Sequence, residues 1–124
     1  MELDHLNILL VADDELFRQL LDVFLSAHGA NVSCCEDTFT AYHKATTLGF
    51  DCIISDSNMP VMTGVELLSK IRNILRDETP LILMCEDEDF AQRQLIYKGA
   101  QAVLKKPFEL PALKALILTH AYRT

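Results

Sequence analysis

Basic side chains are scarce in this sequence. Its 124 residues include 11 Lys and Arg against 18 Asp and Glu, which gives a formal net charge of -7. Nucleic acids and anionic membranes are bound by cationic surfaces, so this balance argues against either as a ligand of the chain. It favours a cationic ligand, such as a metal ion or a basic patch on another protein.

C-x-x-C cysteine motifs and long apolar runs are also missing. Cys34, Cys35, Cys52 and Cys85 form no C-x-x-C pair, which argues against a zinc site or a thioredoxin-type redox motif. No apolar run approaches the ~20 residues of a transmembrane helix. The amino-terminal stretch MELDHLN is acidic and lacks the basic segment of a secretion signal. We therefore expect a cytoplasmic protein with reduced thiols and no membrane association.

Linkers, repeats and low-complexity tracts are absent, so residues 1–124 are expected to form one domain. Short apolar segments alternate with longer segments of helical spacing. The predicted strands are 6–11, 31–35, 52–55, 81–85 and 102–104. The predicted helices are 15–28, 38–48, 65–75, 87–98 and 110–121. In the first helix, Leu16, Leu20, Val23 and Phe24 recur with helical spacing.

The strand–helix alternation predicts an α/β fold. Strands that are apolar on both faces are typical of a parallel sheet buried between two helical layers. Five strand–helix units are too few for a closed eight-stranded barrel, so an open, doubly wound sheet is expected. In such sheets the functional site lies at the carboxyl ends of the strands.

Chemically active residues follow several of these strand ends. Asp13 and Asp14 follow the first strand, Asp56 the third, Cys85 ends the fourth and Lys106 follows the fifth. Carboxylates gathered at one edge repel one another, and a hard cation such as Mg²⁺ relieves that repulsion. An aspartate held beside Mg²⁺ and a lysine is equipped to receive a phosphoryl group as an aspartyl phosphate.

Three stretches carry a family resemblance: ILLVADDELFR (8–18), DCIISDSNMPVMTGVELLSKIR (51–72) and GAQAVLKKPF (99–108). Together they resemble the response-regulator receiver domains of two-component signalling, over essentially the whole chain. The second stretch is the most specific, because Asp56, Met59-Pro60, Met62 and Gly64 match the pattern around the family's phosphoacceptor. The resemblance implies a (βα)5 fold with the flavodoxin-like strand order 2-1-3-4-5.

The resemblance also implies roles for individual residues. Asp56 would be the phosphoacceptor, and Lys106 would contact the phosphoryl group, with a cis bond to Pro107. The implied Mg²⁺ ligands are Asp13, Asp14, Asp56 and the backbone carbonyl of Asn58. The implied phosphodonor is a histidine kinase or a histidine phosphotransfer protein, and the target is a further protein. No catalysis beyond the domain's own phosphorylation and dephosphorylation is expected.

Two positions depart from the family pattern. Cys85 replaces the Thr or Ser whose hydroxyl contacts the phosphoryl group, and Val103 replaces a Tyr or Phe that reorients on activation. A thiol is a weak hydrogen-bond donor, so we expect phosphorylation with weakened conformational coupling. A lost bond of ~1 kcal/mol would lower the active population several-fold.

Two other functions remain open from the sequence. The first is a pseudo-receiver, the same fold acting as a phosphorylation-independent docking module; the atypical switch positions favour it and the acidic pocket opposes it. The second is an aspartate-dependent phosphatase. That enzyme needs a second acid or base near Asp56, which Ser57 and Asn58 do not supply.

Overall fold

A parallel sheet of five strands forms the centre of the computed structural model, which describes residues 1–86 and 99–121. The strands are β1 (Asn7–Val11), β2 (Asn31–Cys35), β3 (Cys52–Asp56), β4 (Leu81–Cys85) and β5 (Ala102–Lys105). The helices are α1 (Glu15–Ala27), α2 (Thr38–Thr47), α3 (Gly64–Asn73) and, after β5, α4 (Leu110–Ala121). The helix predicted at 87–98 lies outside the described residues. The other predicted elements are confirmed, with ends that differ by no more than two residues.

The strand order is β2-β1-β3-β4-β5, as the resemblance implied. Every neighbouring pair is parallel, with Val11 opposite Ser55 and Asp56 opposite Met84. All residues of β3 and β4 are buried. This burial explains why β4 and the first three residues of β3 are apolar without polar alternation. The parallel arrangement brings the carboxyl ends of the strands to one edge of the sheet.

Helices cover both faces of the sheet. Ile8 and Leu10 of β1 pack in a cluster with residues of α1 and α4, whereas Leu9 and Val11 pack in a cluster with residues of α2 and α3. Successive side chains of a strand point to opposite faces, so one strand contributes to both apolar layers. None of the helices in the described ranges is long and apolar enough to span a membrane.

The buried face of α1 differs from the spacing noted in the sequence. Leu21 and Leu25 are fully buried, whereas Leu16, Leu20 and Val23 are 78%, 54% and 68% exposed. The inward side also includes two half-buried aromatic residues, Phe17 and Phe24. Both stripes satisfy helical periodicity, so spacing alone does not choose between them. The direction in which the chain leaves β1 decides which stripe meets the sheet.

Three helices begin with side-chain caps directly after the strand-end loops. The carboxylates of Asp14 and Asp37 accept the N–H of the third residue of α1 and α2, at 3.1 and 2.7 Å. Thr63 and Glu66 form a reciprocal capping box at the start of α3. These caps satisfy N–H groups that lack partners within the helix, and they fix the loops at the carboxyl edge of the sheet.

Candidate functional site

Asp56 lies at the carboxyl end of β3 with its side chain almost completely buried. Only 3% of the residue is exposed. Its Oδ1 lies 2.5 Å from Lys106 Nζ. This contact is a close ion pair, and no other described residue donates a hydrogen bond to Oδ1. The charge is therefore compensated, while the lone pairs of this oxygen are left for a further ligand.

Burial is the main influence on the acidity of Asp56. Desolvation raises the pKa of the carboxyl group above its ordinary value of 3.8, and the ammonium of Lys106 opposes this shift. The negative charge of Asp13 raises the pKa further, although the backbone N–H of Asp13 lowers it. The ionised carboxylate is thus held in surroundings that disfavour its charge, and an added cation would relieve that cost.

Lys106 is positioned by contacts to three other elements. Its backbone N–H donates to the carbonyl of Cys85 at 2.7 Å, and its bond to Pro107 is cis, as the resemblance implied. Its Nζ lies 4.6 Å from the ring centroid of Phe17 on α1, within cation–π distance. Phe17 in turn meets Phe108 edge to face, with centroids 6.0 Å apart.

The sequence did not identify Phe17 as a residue of this site. An aromatic residue in the first turn after an acidic pair was the available signal. Nothing in the sequence placed the loop after β5 beside that turn.

A cavity of about 280 Å³ opens beside Asp56. It is lined by Asp56, Ser57, Asn58, Met84, Cys85, Glu86 and Lys106. The structure therefore brings together four of the predicted site residues from three strand ends: Asp56, Asn58, Cys85 and Lys106. Cys85 is 2% exposed, at the end of β4. Val103 lies on β5, half-buried against the α2–α3 layer, and does not line this cavity.

Asp13 and Asp14, the acidic pair after β1, make different contacts. Asp13 is exposed and close enough to Asp56 to influence its pKa. Asp14 is exposed too, but its Oδ1 caps α1. Within residues 1–86 and 99–121, no three His, Cys, Asp or Glu side chains are already arranged around one metal position. Mg²⁺ is usually bound by only one or two carboxylates with waters, so the oxygen donors and the unsatisfied Asp56 Oδ1 fit this ion.

Gly64 allows α3 to begin directly against the end of β3. A Cβ atom at this position would lie 2.0 Å from the carbonyl oxygen of Asp56. The Gly64 N–H donates to the carbonyl of Ser57 at 3.0 Å, which closes the loop. The glycine in the sequence pattern after Asp56 is therefore explained by a close backbone approach rather than by a positive φ angle.

Comparison with known proteins identifies the family. Residues 8–118 match the family described as response regulator receiver domain. The chain belongs to this family. Receiver domains function in two-component signalling and work with histidine kinases. The family typically carries out no enzymatic chemistry beyond its own phosphorylation.

Curated relatives of this receiver domain include longer regulators. The transcriptional regulatory protein CrdR of Helicobacter pylori is 32% identical over 112 residues, which are 90% of this chain and 53% of CrdR. The Regulator of RpoS of Escherichia coli K12 is 33% identical over 118 residues, 94% of this chain and 35% of the relative. The chain thus spans about half, or less, of the length of these relatives.

Solved receiver structures share the fold. The Vibrio cholerae chemotaxis protein CheY4 has a TM-score of 0.86 at 31% identity, covering 94% of this chain and 98% of its own. The receiver domain of the Pseudomonas aeruginosa sensor histidine kinase PA1611 has a TM-score of 0.86 at 24% identity, covering 96% and 99% of the two chains. That structure contains a magnesium ion in its active-site cleft.

Proposed function

We propose that Asp56 accepts a phosphoryl group from the phosphohistidine of a histidine kinase or histidine phosphotransfer protein. We further propose that residues 1–124 act as a single receiver domain that presents an altered surface to a target protein. The observation that supports this most directly is the buried Asp56 carboxylate beside an open cavity, with the Lys106 ammonium 2.5 Å away. A carboxylate in this position is a nucleophile whose charge is compensated by Lys106. The open cavity gives a phosphoryl donor access to it.

The proposed phosphoryl transfer is a single displacement at phosphorus. A carboxylate oxygen of Asp56 attacks phosphorus, the P–N bond to the donor imidazole breaks, and the imidazole takes up a proton as it leaves. The product is an aspartyl phosphate. As the carboxylate loses its charge to the new bond, Lys106 moves its charge-assisted interaction to a phosphoryl oxygen. Glu86 lines the same cavity, and its negative charge disfavours anions there, the phosphoryl group included.

We propose Mg²⁺ as the cation of this site, held by Asp13, Asp14, Asp56 and the backbone carbonyl of Asn58. When bound, Mg²⁺ would neutralise charge on the phosphoryl oxygens. The support is the set of oxygen donors, the unsatisfied Asp56 Oδ1, and the magnesium ion found in the PA1611 receiver domain.

We also propose that phosphorylation is coupled only weakly to conformational change. Cys85 lines the cavity where a hydroxyl would contact the phosphoryl group. Val103 is packed against the α2–α3 layer and has no ring to reorient. The chemical residues are therefore present, while the usual relay is replaced by a thiol and an aliphatic side chain.

Intact-mass analysis tests the phosphoacceptor proposal. The protein is incubated with Mg²⁺ and acetyl phosphate, beside an Asp56→Asn variant and a sample containing chelator. We expect one phosphoryl adduct on the wild type and none in the two controls. The same adduct on Asp56→Asn would assign the chemistry to another residue.

A docking module that works without phosphorylation is the second candidate, and the substitutions at Cys85 and Val103 favour it. The two functions differ in their response to beryllofluoride, which mimics a phosphoryl group on aspartate. A receiver binds it with Mg²⁺ and changes its amide spectrum, whereas a docking module does not respond. If neither an adduct nor a spectral change forms, even with a cognate kinase, the docking function replaces the phosphoacceptor function.

A further inference from the structure

A second cleft lies beside Asp13, between the loop after β2 and the loop after β3. Its volume is about 270 Å³. Met59 and Met62 contribute to its apolar lining, and Phe39 and Val61 are 62% and 103% exposed at its rim. Large apolar side chains exposed around a concave surface are typical of a binding site. We call this feature the methionine cleft.

The rim of the methionine cleft is acidic. Asp13, Glu36 and Asp37 are exposed there, and none of the described residues that line the cleft is basic. The backbone N–H of Thr40 holds the pKa of Asp37 below its ordinary value, so this carboxylate is ionised at neutral pH. The cleft therefore combines an apolar interior with a negative border.

The walls of the cleft are held in place by the fold. Thr38 is buried, and its hydroxyl donates to the carbonyl of Met62, which joins the two loops. Asp37 caps α2 and Thr63 caps α3, so each loop runs directly into a fixed helix start. A site whose walls are already ordered loses little conformational entropy on binding.

Val61 is a backbone outlier at the rim of the methionine cleft. Its φ angle is 69°, in the left-handed region, where a β-branched residue is a genuine outlier. Strained backbone of this kind clusters at ligand contacts and switch regions. Here the strained residue also presents a fully exposed apolar side chain at the cleft rim.

We propose that the methionine cleft binds one large apolar side chain of a partner protein, at a position flanked on the partner by Lys or Arg. The volume is below the ~300–1,000 Å³ of drug-sized pockets and suits a single Leu or Phe side chain. The acidic border selects basic neighbours by charge complementarity. Methionines adapt their shape to different apolar groups, which suits a docking role. Asp56 does not line this cleft.

Methyl NMR tests the proposal on the intact chain. Methionine methyl labelling gives four signals, from Met1, Met59, Met62 and Met84. Met59 and Met62 report the cleft, Met84 reports the neighbouring cavity at Asp56, and Met1 reports the exposed surface. The probes are the blocked tripeptides Lys-Leu-Lys, Lys-Ala-Lys and Glu-Leu-Glu.

Lys-Leu-Lys should shift the Met59 and Met62 signals in a saturable way and leave Met1 and Met84 in place. Lys-Ala-Lys should bind about tenfold more weakly, because it lacks the buried side chain. Glu-Leu-Glu should also bind more weakly, by an amount that shrinks with added salt. Equal responses to all three peptides, or no saturable response to Lys-Leu-Lys, would overturn the proposal.

A matched pair of variants checks the location. Val61→Asn removes the apolar side chain, and asparagine tolerates a positive φ. It should weaken Lys-Leu-Lys binding several-fold. Val23→Asn alters an exposed valine on α1, outside the cleft, and should leave binding unchanged. A different result is a shift of the Met59 and Met62 signals with protein concentration when no peptide is present. That result would identify a second copy of the chain as the occupant of the cleft and overturn the proposal of a basic partner.

Discussion

Asp56 is the residue at which burial and charge oppose each other most directly. Its folded-state pKa is raised above the ordinary 3.8, with burial as the first cause. A raised carboxyl pKa means that ionisation costs stability as the pH rises through the folded pKa, and that cost is fully present above the folded pKa. Below the unfolded pKa the carboxyl is neutral in both states, and the cost disappears.

Asp56→Asn should therefore stabilise the protein at pH 7 in the absence of metal. The neutral amide avoids the desolvation cost that raises the pKa of the buried carboxyl group. Thermal unfolding of both proteins between pH 7 and pH 4 measures it. The gap in Tm should narrow as the pH falls towards the ordinary carboxyl pKa. A variant that is less stable at pH 7 would contradict the assigned burial cost.

Phe17 is expected to position Lys106 through its ring. Phe17→Leu keeps an apolar side chain but removes the cation–π contact, which is worth ~0.5–1 kcal/mol at a partly exposed site. Phosphorylation by acetyl phosphate should slow by roughly two- to fivefold, and Phe17→Tyr should retain the wild-type rate.

Phe24→Leu is the matched control for Phe17. Phe24 lies in the same apolar layer but contacts the ring of His28 at a tilt, with ring centroids 4.5 Å apart. An equal slowing by Phe24→Leu would assign the effect to general packing. An unchanged rate in Phe17→Leu would remove the positioning role.

Substitutions at Cys85 test whether phosphorylation and conformational switching can be separated. Cys85→Thr supplies a hydroxyl at the end of β4, where a hydrogen bond is worth ~1 kcal/mol. The amide shifts induced by Mg²⁺ and beryllofluoride should grow several-fold, while the phosphorylation rate stays close to wild type. Cys85→Ala, which lacks any donor, should not enlarge them. Equal spectral responses in both variants would show that the hydroxyl is not what the switch lacks.

At the scale of the helix, substitutions in α1 test which of its apolar stripes meets the sheet. Leu21 is fully buried and Leu20 is 54% exposed, although the two are neighbours in the sequence. Leu21→Ala should lower the free energy of unfolding by ~2–5 kcal/mol, whereas Leu20→Ala should change it by no more than about 0.5 kcal/mol. Urea denaturation midpoints measure both. Similar losses in the two variants would contradict the orientation of α1.

The central strands were predictable because of their burial. A strand covered on both faces is mostly apolar, so segments such as Leu81–Cys85 stand out from the helices around them. Which side of α1 packs against the sheet was not predictable. Two apolar stripes on one helix satisfy the same period, and only the packed sheet distinguishes them.

At the scale of the whole molecule, the sheet topology explains which contacts of the site could be predicted from the sequence. Parallel strands carry their carboxyl ends to one edge, so the placement of Asp56, Cys85 and Lys106 near one another followed from strand order alone. The contact of Lys106 with Phe17 did not follow, since it depends on how the loop after β5 meets α1. The methionine cleft likewise depends on the bond between Thr38 and Met62, which joins two loops distant in sequence.

The identity of the phosphorylated residue is the central claim, and chemical trapping tests it directly. Borohydride reduces an aspartyl phosphate to homoserine, which tandem mass spectrometry locates in the sequence. After incubation with Mg²⁺ and acetyl phosphate, we predict homoserine at position 56, and none at that position without Mg²⁺. Homoserine at position 13 or 14, or at no position although a cognate donor is present, would contradict the assignment of Asp56.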